Sequence, residues 1–359
     1  AEAVDRAMEG CDIVFHLAFD FAPPAEMVRR NVEGTHNVMI AALKHNTRLV
    51  HISTIDVYGW PEAGDLDETA PRQAGDDNIY GQSKLAVEQA VVEFHQKWSL
   101  PVVILQPTIV YGPYCRPWTM GIAQKLKGDK PVALIDDGRA ACNAVYVDDV
   151  VNAMLLAGIK DDAIGETFLI SATEPITWRV FYDKFEAITG TKNTVSVPSE
   201  EPAPPPPASA PATPATPAVS PAPQRPQLTG DIPFYTRWML EKRVLIRIRE
   251  AKGVGTAYRV VRWITPQGIW NLFKYRLGKV HRAAVVAPPK PGPGAPVTRS
   301  APPPPPPVLM PPAAHMPMYR SQVRVKVDKA QQILGYEPQY TFEQGMEITA
   351  QYLEWANLT

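Results

Sequence analysis

Two proline-rich tracts restrict most strongly how this 359-residue chain can fold. Of its 39 prolines, eleven lie within residues 202–226 and fourteen within 288–317. Proline lacks an amide hydrogen and has a fixed φ, so such stretches are expected to form neither strand ladders nor helices. We therefore predict two extended, solvated linkers at 201–227 and 288–317. A peptide-ligand role for their PxxP-like runs is the alternative.

Residues 228–287, between the two tracts, form a basic insert. Within 236–282, twelve Lys and Arg accompany two acids, Glu241 and Glu250, giving a local charge of +10. The whole chain has a formal charge of −1, which excludes a uniformly basic nucleic-acid binder. Aromatic residues are interleaved with these bases, and this combination is typical of a peripheral membrane contact. The alternative is a helical insert whose charges face water or pair with the acidic remainder of the chain.

Composition also bears on the compartment. Apolar residues make up 45% of the chain, which is enough to bury a sizeable core. No apolar run is long enough for a transmembrane helix, and the first ten residues lack the pattern of a secretory signal. Three cysteines, without paired metal-ligand spacing, favour a reducing, cytoplasmic setting and predict no metal site. They are Cys11, Cys115 and Cys142.

Outside the insert, apolar runs of strand length alternate with amphipathic helical segments. The expected strands are CDIVFHLAF, RLVHISTIDVYG, PVVILQPTIVYGP and GETFLIS, and the expected helices are NVEGTHNVMIAALKH and YGQSKLAVEQAVVEFHQKW. Strand–helix–strand units of this kind form right-handed crossovers in a parallel sheet. The pattern predicts a doubly wound α/β fold, with ligands beyond the carboxyl ends of the strands, after Leu17, Ser53 and Gln106.

One group of residues in this pattern is suited to catalysis. Tyr80 and Lys84 are one turn apart on an expected helix and project from the same face. A neighbouring ammonium favours tyrosinate, and an oxidised nicotinamide favours it further. Such a tyrosine can act as general base or acid on a hydroxyl or carbonyl. Thr54, at the end of the preceding strand, is placed to hydrogen-bond the same oxygen.

A Tyr-x-x-x-Lys pair is weak evidence by itself, because composition predicts roughly 0.6 such pairs by chance. A second pair, Tyr275 and Lys279, occurs in the basic insert without a strand or threonine before it, and we interpret it as accidental. For Tyr80 and Lys84, the alternative is an ordinary surface pair on a helix.

Several motifs in a fixed order connect the chain to a family. HISTIDVYG, YGQSK, PTIVYGP and VYVDDV together resemble the extended short-chain dehydrogenase/reductases, in their NAD-dependent epimerase/dehydratase and 3β-hydroxysteroid-dehydrogenase-like branch. FHLAF followed by NVEGTHNV, and the tail RVKVDKAQQILGYEPQYTFEQGMEITAQYLEW, are similar to further segments of that family. The resemblance covers roughly 1–196 and 319–355 and leaves out the proline-rich and basic insert.

The resemblance implies a Rossmann-like fold and an NAD(P)-dependent oxidoreductase or epimerase. It implies Tyr80 as the catalytic acid/base, Lys84 as its pKa-lowering, ribose-binding partner and Thr54 as the catalytic hydroxyl, with Ser53 as second choice. The positions expected to line NAD or NADP are Leu17, Ala18, Asn31, Tyr80, Lys84, Pro107 and Thr108. Strand-end packing, a helix cap at Asn31 and a loop start at Pro107 are the alternatives.

Four further polar residues are interpreted as structural. His16 and His51 are expected to be core histidines with satisfied hydrogen bonds. Asp148 and Asp149 suit the N-cap and first turn of a helix, and need no catalytic role.

The expected organisation is a Rossmann-like core over 1–172, with an excursion to the substrate side at 116–142. A small substrate domain combines 173–200 with 318–359. We expect a small-molecule substrate, no nucleic-acid partner and peripheral membrane contact through 236–282. A homodimer through long helices, including the one that carries Tyr80, and a cytoplasmic or membrane-associated location complete the prediction.

Two departures from the family pattern modify this prediction, and the first concerns the cofactor. The glycine-rich phosphate loop is absent, since the sequence opens inside a helix before CDIVFHLAF, and GVGTAY at 253–258 lacks a preceding strand and a third glycine. About two βα units are therefore expected to be missing, leaving an incomplete sheet with an exposed edge strand. A fragment of a longer protein and a non-catalytic binding or membrane-surface relative both remain open, as does NAD versus NADP.

The second departure concerns the substrate. Family members that act on nucleotide sugars often carry an arginine for the diphosphate where this chain has Cys142, next to Asn143. A thiol cannot replace a bidentate guanidinium, and Arg139, three residues away, is the candidate substitute. Gln106 stands where Arg-Pro is common. These positions favour an apolar alcohol or ketone, such as a sterol-, terpenoid- or lipid-like substrate, over a sugar nucleotide.

Overall fold

A computed structural model of the chain describes residues 1–199 and 307–359. The predictions for the linker 201–227, the basic insert 228–287 and most of the second tract lie outside the described residues. The membrane contact through 236–282 and the second Tyr-x-x-x-Lys pair lie outside them as well.

A central sheet of four parallel strands organises the described part of the chain, in the order β1-β2-β4-β8. The strands are β1 (Ile13–His16), β2 (Arg48–Ile52), β4 (Val102–Pro107) and β8 (Thr167–Ile170). The apolar side chains of β2 and β4 are buried on both faces, as their continuous apolar runs predict. The sheet is Rossmann-like, and the predicted fold class is confirmed.

Helices cover both faces of this sheet. The α-helices of the described residues are α1 (Glu2–Met8), α2 (Pro24–His45), α3 (Ile79–Trp98), α4 (Gly121–Leu126), α5 (Val147–Ile159), α6 (Trp178–Thr189), α7 (Met316–Arg320) and α8 (Phe342–Trp355), of which α2, α3 and α5 pack on the sheet. On one face Leu49 and Ile104 pack with Met39 of α2 and Val87 of α3. On the other, the strand residues pack against α5. The two-sided cover leaves the carboxyl ends of the strands as the edge where a ligand can bind.

The expected strand PVVILQPTIVYGP is divided in two. β4 ends at Pro107, and β5 (Ile109–Tyr111) leaves the central sheet to pair with β7 (Ala144–Tyr146). The Thr108 amide still donates to the Ile170 carbonyl oxygen (3.0 Å), so the change of partner takes place within one residue. The single continuous strand was therefore a wrong prediction.

Two small parallel sheets lie beside the central sheet, and the second of them links the segments on either side of the undescribed residues. β6 (Val132–Ile135) pairs with β9 (Thr194–Val197), and β3 (Ala63–Leu66) pairs with β10 (Gln322–Val325). An aromatic cluster that includes Trp178, Phe181 and Tyr319 fills the core beside them. The C-terminal segment is thus packed directly against the loops that follow the central strands.

The end of the second proline-rich tract contradicts its predicted solvated, extended form. Leu309 forms a bridge with Val132, residues Ala313–His315 make a 3-10 turn, and α7 follows with Pro317 in its first turn. Proline is tolerated at the edge of a sheet and in the first turn of a helix, where its missing amide hydrogen is not needed.

One prediction about helix ends also needs correction. Tyr146 is the N-cap of α5, so Asp148 and Asp149 both lie in its first turn and neither is the cap. Asp149 Oδ1 instead accepts a hydrogen bond from the Gln339 amide (2.7 Å) and ties the C-terminal segment to α5.

Candidate active site

Three predicted side chains meet at the carboxyl end of β2. Thr54 follows the strand, and Tyr80 and Lys84 project from the start of α3. Lys84 Nζ donates to the Ile52 carbonyl oxygen, 3.0 Å away, and the Thr54 hydroxyl lies close enough to Tyr80 to act on its pKa. The i, i+4 spacing and the strand end therefore bring the three residues together. Ser53, the second choice, is buried and its Oγ has no hydrogen-bond partner among the described residues.

The electrostatic environment of Tyr80 differs from the expectation. Burial and the nearby Asp56 carboxyl raise the pKa of Tyr80, and the Thr54 hydroxyl opposes them only in part. The Lys84 ammonium, expected to lower that pKa, instead contacts the Ile52 carbonyl and lies 4.9 Å from the Phe19 ring centroid. The predicted lowering of the pKa by Lys84 is therefore wrong here, and Tyr80 stays protonated at neutral pH.

The pKa of Lys84 is lower than that of an ordinary lysine. Burial lowers the pKa of Lys84 to about 8, and the charge of Glu88 opposes the effect of burial. The Glu88 carboxylate is 1% exposed, forms an ion pair with Arg72 (2.9 Å) and accepts two hydrogen bonds from Gln106 Nε2 (2.9 and 3.1 Å). A fixed anion one turn further along α3 thus helps to keep a buried ammonium charged.

Asp56 belongs to this cluster, although the sequence analysis missed it. Its Oδ2 is 3.5 Å from Thr54 Oγ1, its Oδ1 accepts from Trp60 Nε1 (2.6 Å), and burial raises its pKa. Its amide also donates to Thr54 Oγ1 (3.3 Å). Asp56 therefore orients the threonine hydroxyl. The available signal was an acid two residues after Thr54 in STIDVYG.

The predicted cofactor-lining residues fall into two groups. Leu17 (53% exposed) and Ala18 lie open at the carboxyl end of β1, whereas Pro107 and Thr108 are buried, with Thr108 Oγ1 bonded to Ser171 Oγ (3.1 Å). Asn31 is buried within α2, so the helix-cap alternative is wrong. Leu17 and Ala18 are therefore the exposed members of the set.

Two histidines lie beneath Lys84. His16 and His51 are opposite each other on β1 and β2, with ring centroids 5.4 Å apart. His16 Nε2 is bonded to Thr35 Oγ1 (2.9 Å), which confirms a satisfied core histidine. Neither ring nitrogen of His51 has a partner among the described residues, contrary to the prediction. Burial, with the Lys84 charge, lowers the pKa of His16 to about 4, and that of His51 falls well below its usual value for the same reasons.

The residues considered above as diphosphate ligands each contact other groups of the chain. Cys142 is 1% exposed in the aromatic cluster, and burial raises the pKa of its thiol well above the ordinary value. Asn143 donates to the Val323 carbonyl (3.0 Å), and Arg139 pairs with Asp137 (3.9 Å). Gln106 is fully buried, and its amide is directed at Glu88.

Residues 1–199 and 307–359 contain neither a cluster of metal ligands nor a helix that could span a membrane. No three His, Cys, Asp or Glu side chains in these ranges are grouped as metal ligands. No helix in them has the length and apolar character that crossing a membrane requires.

The parallel sheet, its two helical layers and the side chains at its carboxyl edge define a Rossmann-like α/β protein. Residues 1–171 match the sequence model of the NAD dependent epimerase/dehydratase family. The resemblance inferred from the motifs is confirmed there.

Individual relatives agree with this assignment. The chain is 32% identical over 173 residues to human dTDP-D-glucose 4,6-dehydratase, covering 45% of this chain and 48% of that protein. It is 30% identical over 176 residues to a decarboxylating sterol-4-alpha-carboxylate 3-dehydrogenase of Candida albicans, covering 46% and 50%. The chain thus spans about half the length of these curated relatives.

A solved structure shows the same fold. The UDP-glucuronic acid 4-epimerase of Bacillus cereus, in complex with NAD, superposes with a TM-score of 0.56 at 19% identity. The alignment covers 96% of this chain and 75% of that one.

Proposed function

We propose that this protein catalyses NAD-dependent hydride transfer at a substrate alcohol or ketone, with Thr54, Tyr80 and Lys84 as catalytic residues. The meeting of these three side chains at the carboxyl end of β2 is the observation that carries the proposal. The family match over residues 1–171 supports NAD as the cofactor.

The residues present fit the nicotinamide-ribose half of NAD. Leu17 and Ala18 are exposed at the end of β1, and Lys84 and Tyr80 lie at the same edge of the sheet. Leu17 and Ala18 would contact the cofactor, and Lys84 would reach the ribose hydroxyls. Oxidised NAD, when bound, supplies the hydride acceptor and a positive charge that favours tyrosinate.

The proton chemistry follows from the hydrogen bonds of the cluster. In oxidation, Tyr80 as tyrosinate accepts the proton of the substrate hydroxyl, and in reduction its phenol returns a proton to the carbonyl oxygen. Thr54 hydrogen-bonds the same oxygen, held in place by Asp56. Lys84, with a pKa of about 8, exchanges protons with solvent near neutral pH.

The surroundings of the cluster favour an apolar substrate over a nucleotide sugar. The thiol at Cys142 is buried and neutral, and the Gln106 amide faces Glu88. Neither position offers the bidentate guanidinium that favours diphosphate binding. Arg139, the candidate substitute, lies 3.9 Å from Asp137 with its side chain 79% exposed. A sterol- or lipid-like alcohol needs no such guanidinium.

Removal of one phenolic oxygen tests the proposal. We expect Tyr80→Phe to lower the turnover of a secondary alcohol by about 10²- to 10⁴-fold, because the proton acceptor is lost. NADH formation with trans-decahydro-2-naphthol and NAD is the measurement, and NADH binding shows whether the variant keeps its site.

The matched control is Tyr336→Phe, which removes the same atom from a buried tyrosine that donates to the Ser171 carbonyl oxygen (3.0 Å). The control is expected to retain turnover. Turnover of Tyr80→Phe at the parent rate contradicts the assignment of the acid/base. A parent chain that binds no NADH supports the non-catalytic alternative.

A further inference from the structure

Two phenylalanines of the loop between β1 and α2 surround the Tyr80 ring. Phe19 meets it edge-on, with ring centroids 5.1 Å apart and an angle of 70° between the planes. Phe21 stacks on it, at 6.2 Å and 7°, and the two phenylalanines contact each other at 4.9 Å. The candidate acid/base is thus part of an aromatic group of three rings.

The loop is held in one conformation by Asn31. The Asn31 side chain accepts a hydrogen bond from the Asp20 amide (2.8 Å) and donates to the Asp20 carbonyl oxygen (2.9 Å). It also donates to the Met27 carbonyl oxygen (2.8 Å) within α2. Because Asp20 separates Phe19 from Phe21, the clamp fixes the backbone between the two rings.

The charged groups of the loop and of the start of α2 neutralise one another. The Asp20 carboxylate pairs with Arg30 (2.6 Å), and Arg30 also approaches Glu26 (3.7 Å). Arg29 pairs with Glu33 (2.9 Å). Arg29 and Arg30, the cations nearest to the two phenylalanines in sequence, therefore pair with carboxylates. The phenylalanine rings are then the groups of this loop that a ligand would contact.

Exposure shows which ring is available. Phe21 is 77% exposed although it stacks on Tyr80, so most of its surface is open to solvent next to the Tyr80 ring. A substrate whose oxygen lies at Tyr80 and Thr54 must extend across this ring or away from it. Contact between an apolar ring system and Phe21 removes apolar surface of both from water.

We propose that Phe19 and Phe21 form an aromatic wall that selects alicyclic or otherwise apolar alcohols and ketones, with Phe21 as the direct contact and Phe19 as its support. The assignment rests on the proposed function, because it takes the oxygen of the substrate to lie at Tyr80. It makes Phe21 a specificity-determining residue, separate from the proton chemistry.

Binding measurements on the full chain test the wall without requiring turnover. We expect trans-decahydro-2-naphthol to bind about tenfold more weakly to Phe21→Ser than to the parent, because an apolar contact is lost. Isothermal titration calorimetry is the readout, with UDP-glucose as the polar comparison ligand. The matched control is Ile159→Ser. Ile159 is also an apolar residue, 65% exposed, and it is the last residue of α5, outside the loop that carries Phe21.

The outcomes separate the wall from the catalytic proposal. Weaker binding of the naphthol to Phe21→Ser but not to Ile159→Ser supports the wall, as does tighter binding of the naphthol than of UDP-glucose to the parent. Equal affinity of Phe21→Ser and the parent for the naphthol overturns it, even if Tyr80→Phe abolishes turnover. A parent that binds the naphthol through Phe21 but never oxidises it supports the wall and contradicts the proposed function.

Discussion

The histidines beneath Lys84 make the site sensitive to acid at the scale of single residues. His16 and His51 lie in apolar surroundings, each with a lowered pKa, and Lys84 adds a positive charge next to them. Below the usual pKa of histidine, about 6.5, the unfolded chain takes up protons that the folded chain refuses. Stability is therefore complete above about pH 6.5 and decreases as the pH falls towards the folded pKa values.

We expect His51→Leu to reduce this acid sensitivity, because leucine removes an imidazole whose nitrogens have no partner among the described residues. Between pH 6.5 and 5 the parent should lose about 2 kcal/mol more of its unfolding free energy than the variant. Urea denaturation at the two pH values is the measurement. The same loss in both proteins contradicts the buried, neutral state assigned to His51.

At this scale the sequence grouped the three proposed catalytic residues but did not predict their electrostatics. Helical spacing and a strand end were enough to group Thr54, Tyr80 and Lys84. The pKa of Tyr80 depends on its burial and on Asp56, and neither follows from spacing. Phe21 was missed for a related reason, because an aromatic residue in a loop has no signature until its exposure and stacking are known.

At the scale of elements, the first turn of α3 determines where Tyr80 points. Asn78 is the N-cap, and its side chain accepts from the Gly81 amide (2.9 Å). A Cβ on Gly81 would come within 3.0 Å of the Asp56 carbonyl oxygen, so glycine allows the helix to start against that loop. The cap and the glycine together fix the distance between Tyr80 and Thr54.

We expect Asn78→Ala to lower the free energy of unfolding by about 1 kcal/mol, because a buried cap is lost from the start of α3. Asn78→Ser, which keeps a capping oxygen, is the control and should retain most of that stability. Urea denaturation of the two variants and the parent provides the comparison. An alanine variant as stable as the parent shows that the cap does not stabilise α3.

Periodicity predicted the main strands and both long helices of the site, although α2 begins at Pro24, seven residues before the expected start at Asn31. It did not predict the division between β4 and β5, because the apolar pattern continues unchanged through Pro107. Only the exchange of neighbours, from β8 to β7, marks the boundary, and partners in a sheet are long-range information.

At the scale of the whole molecule, β6 lies between the two ends of the segment that the structure does not describe. Val132 of β6 is opposite Thr194 of β9 on one side and bridges Leu309 on the other. Both ends of the segment 200–306 therefore emerge next to β6. Adjacent strands are about 5 Å apart, so two segments that flank the same strand are roughly 10 Å apart, and a short connection can join them.

We expect a chain in which a flexible Gly/Ser linker of about 12 residues replaces 200–306 to fold as the parent does, since such a linker spans roughly 20 Å. Its Tm should lie within about 4 °C of the parent value, equivalent to about 1 kcal/mol for a body of this size. Differential scanning calorimetry of the two chains measures this difference in Tm. A much larger decrease in Tm assigns the segment a role in stabilising the rest.

The change of partner at Pro107 has a consequence for how sites of this kind diversify. The residues of β4 before it are held between β2 and β8 of the central sheet. Residues after it belong to a two-stranded ribbon, whose connections can lengthen or shorten without disturbing those strands. Insertions in the ribbon can therefore reshape one side of the site while β4 keeps its position in the sheet.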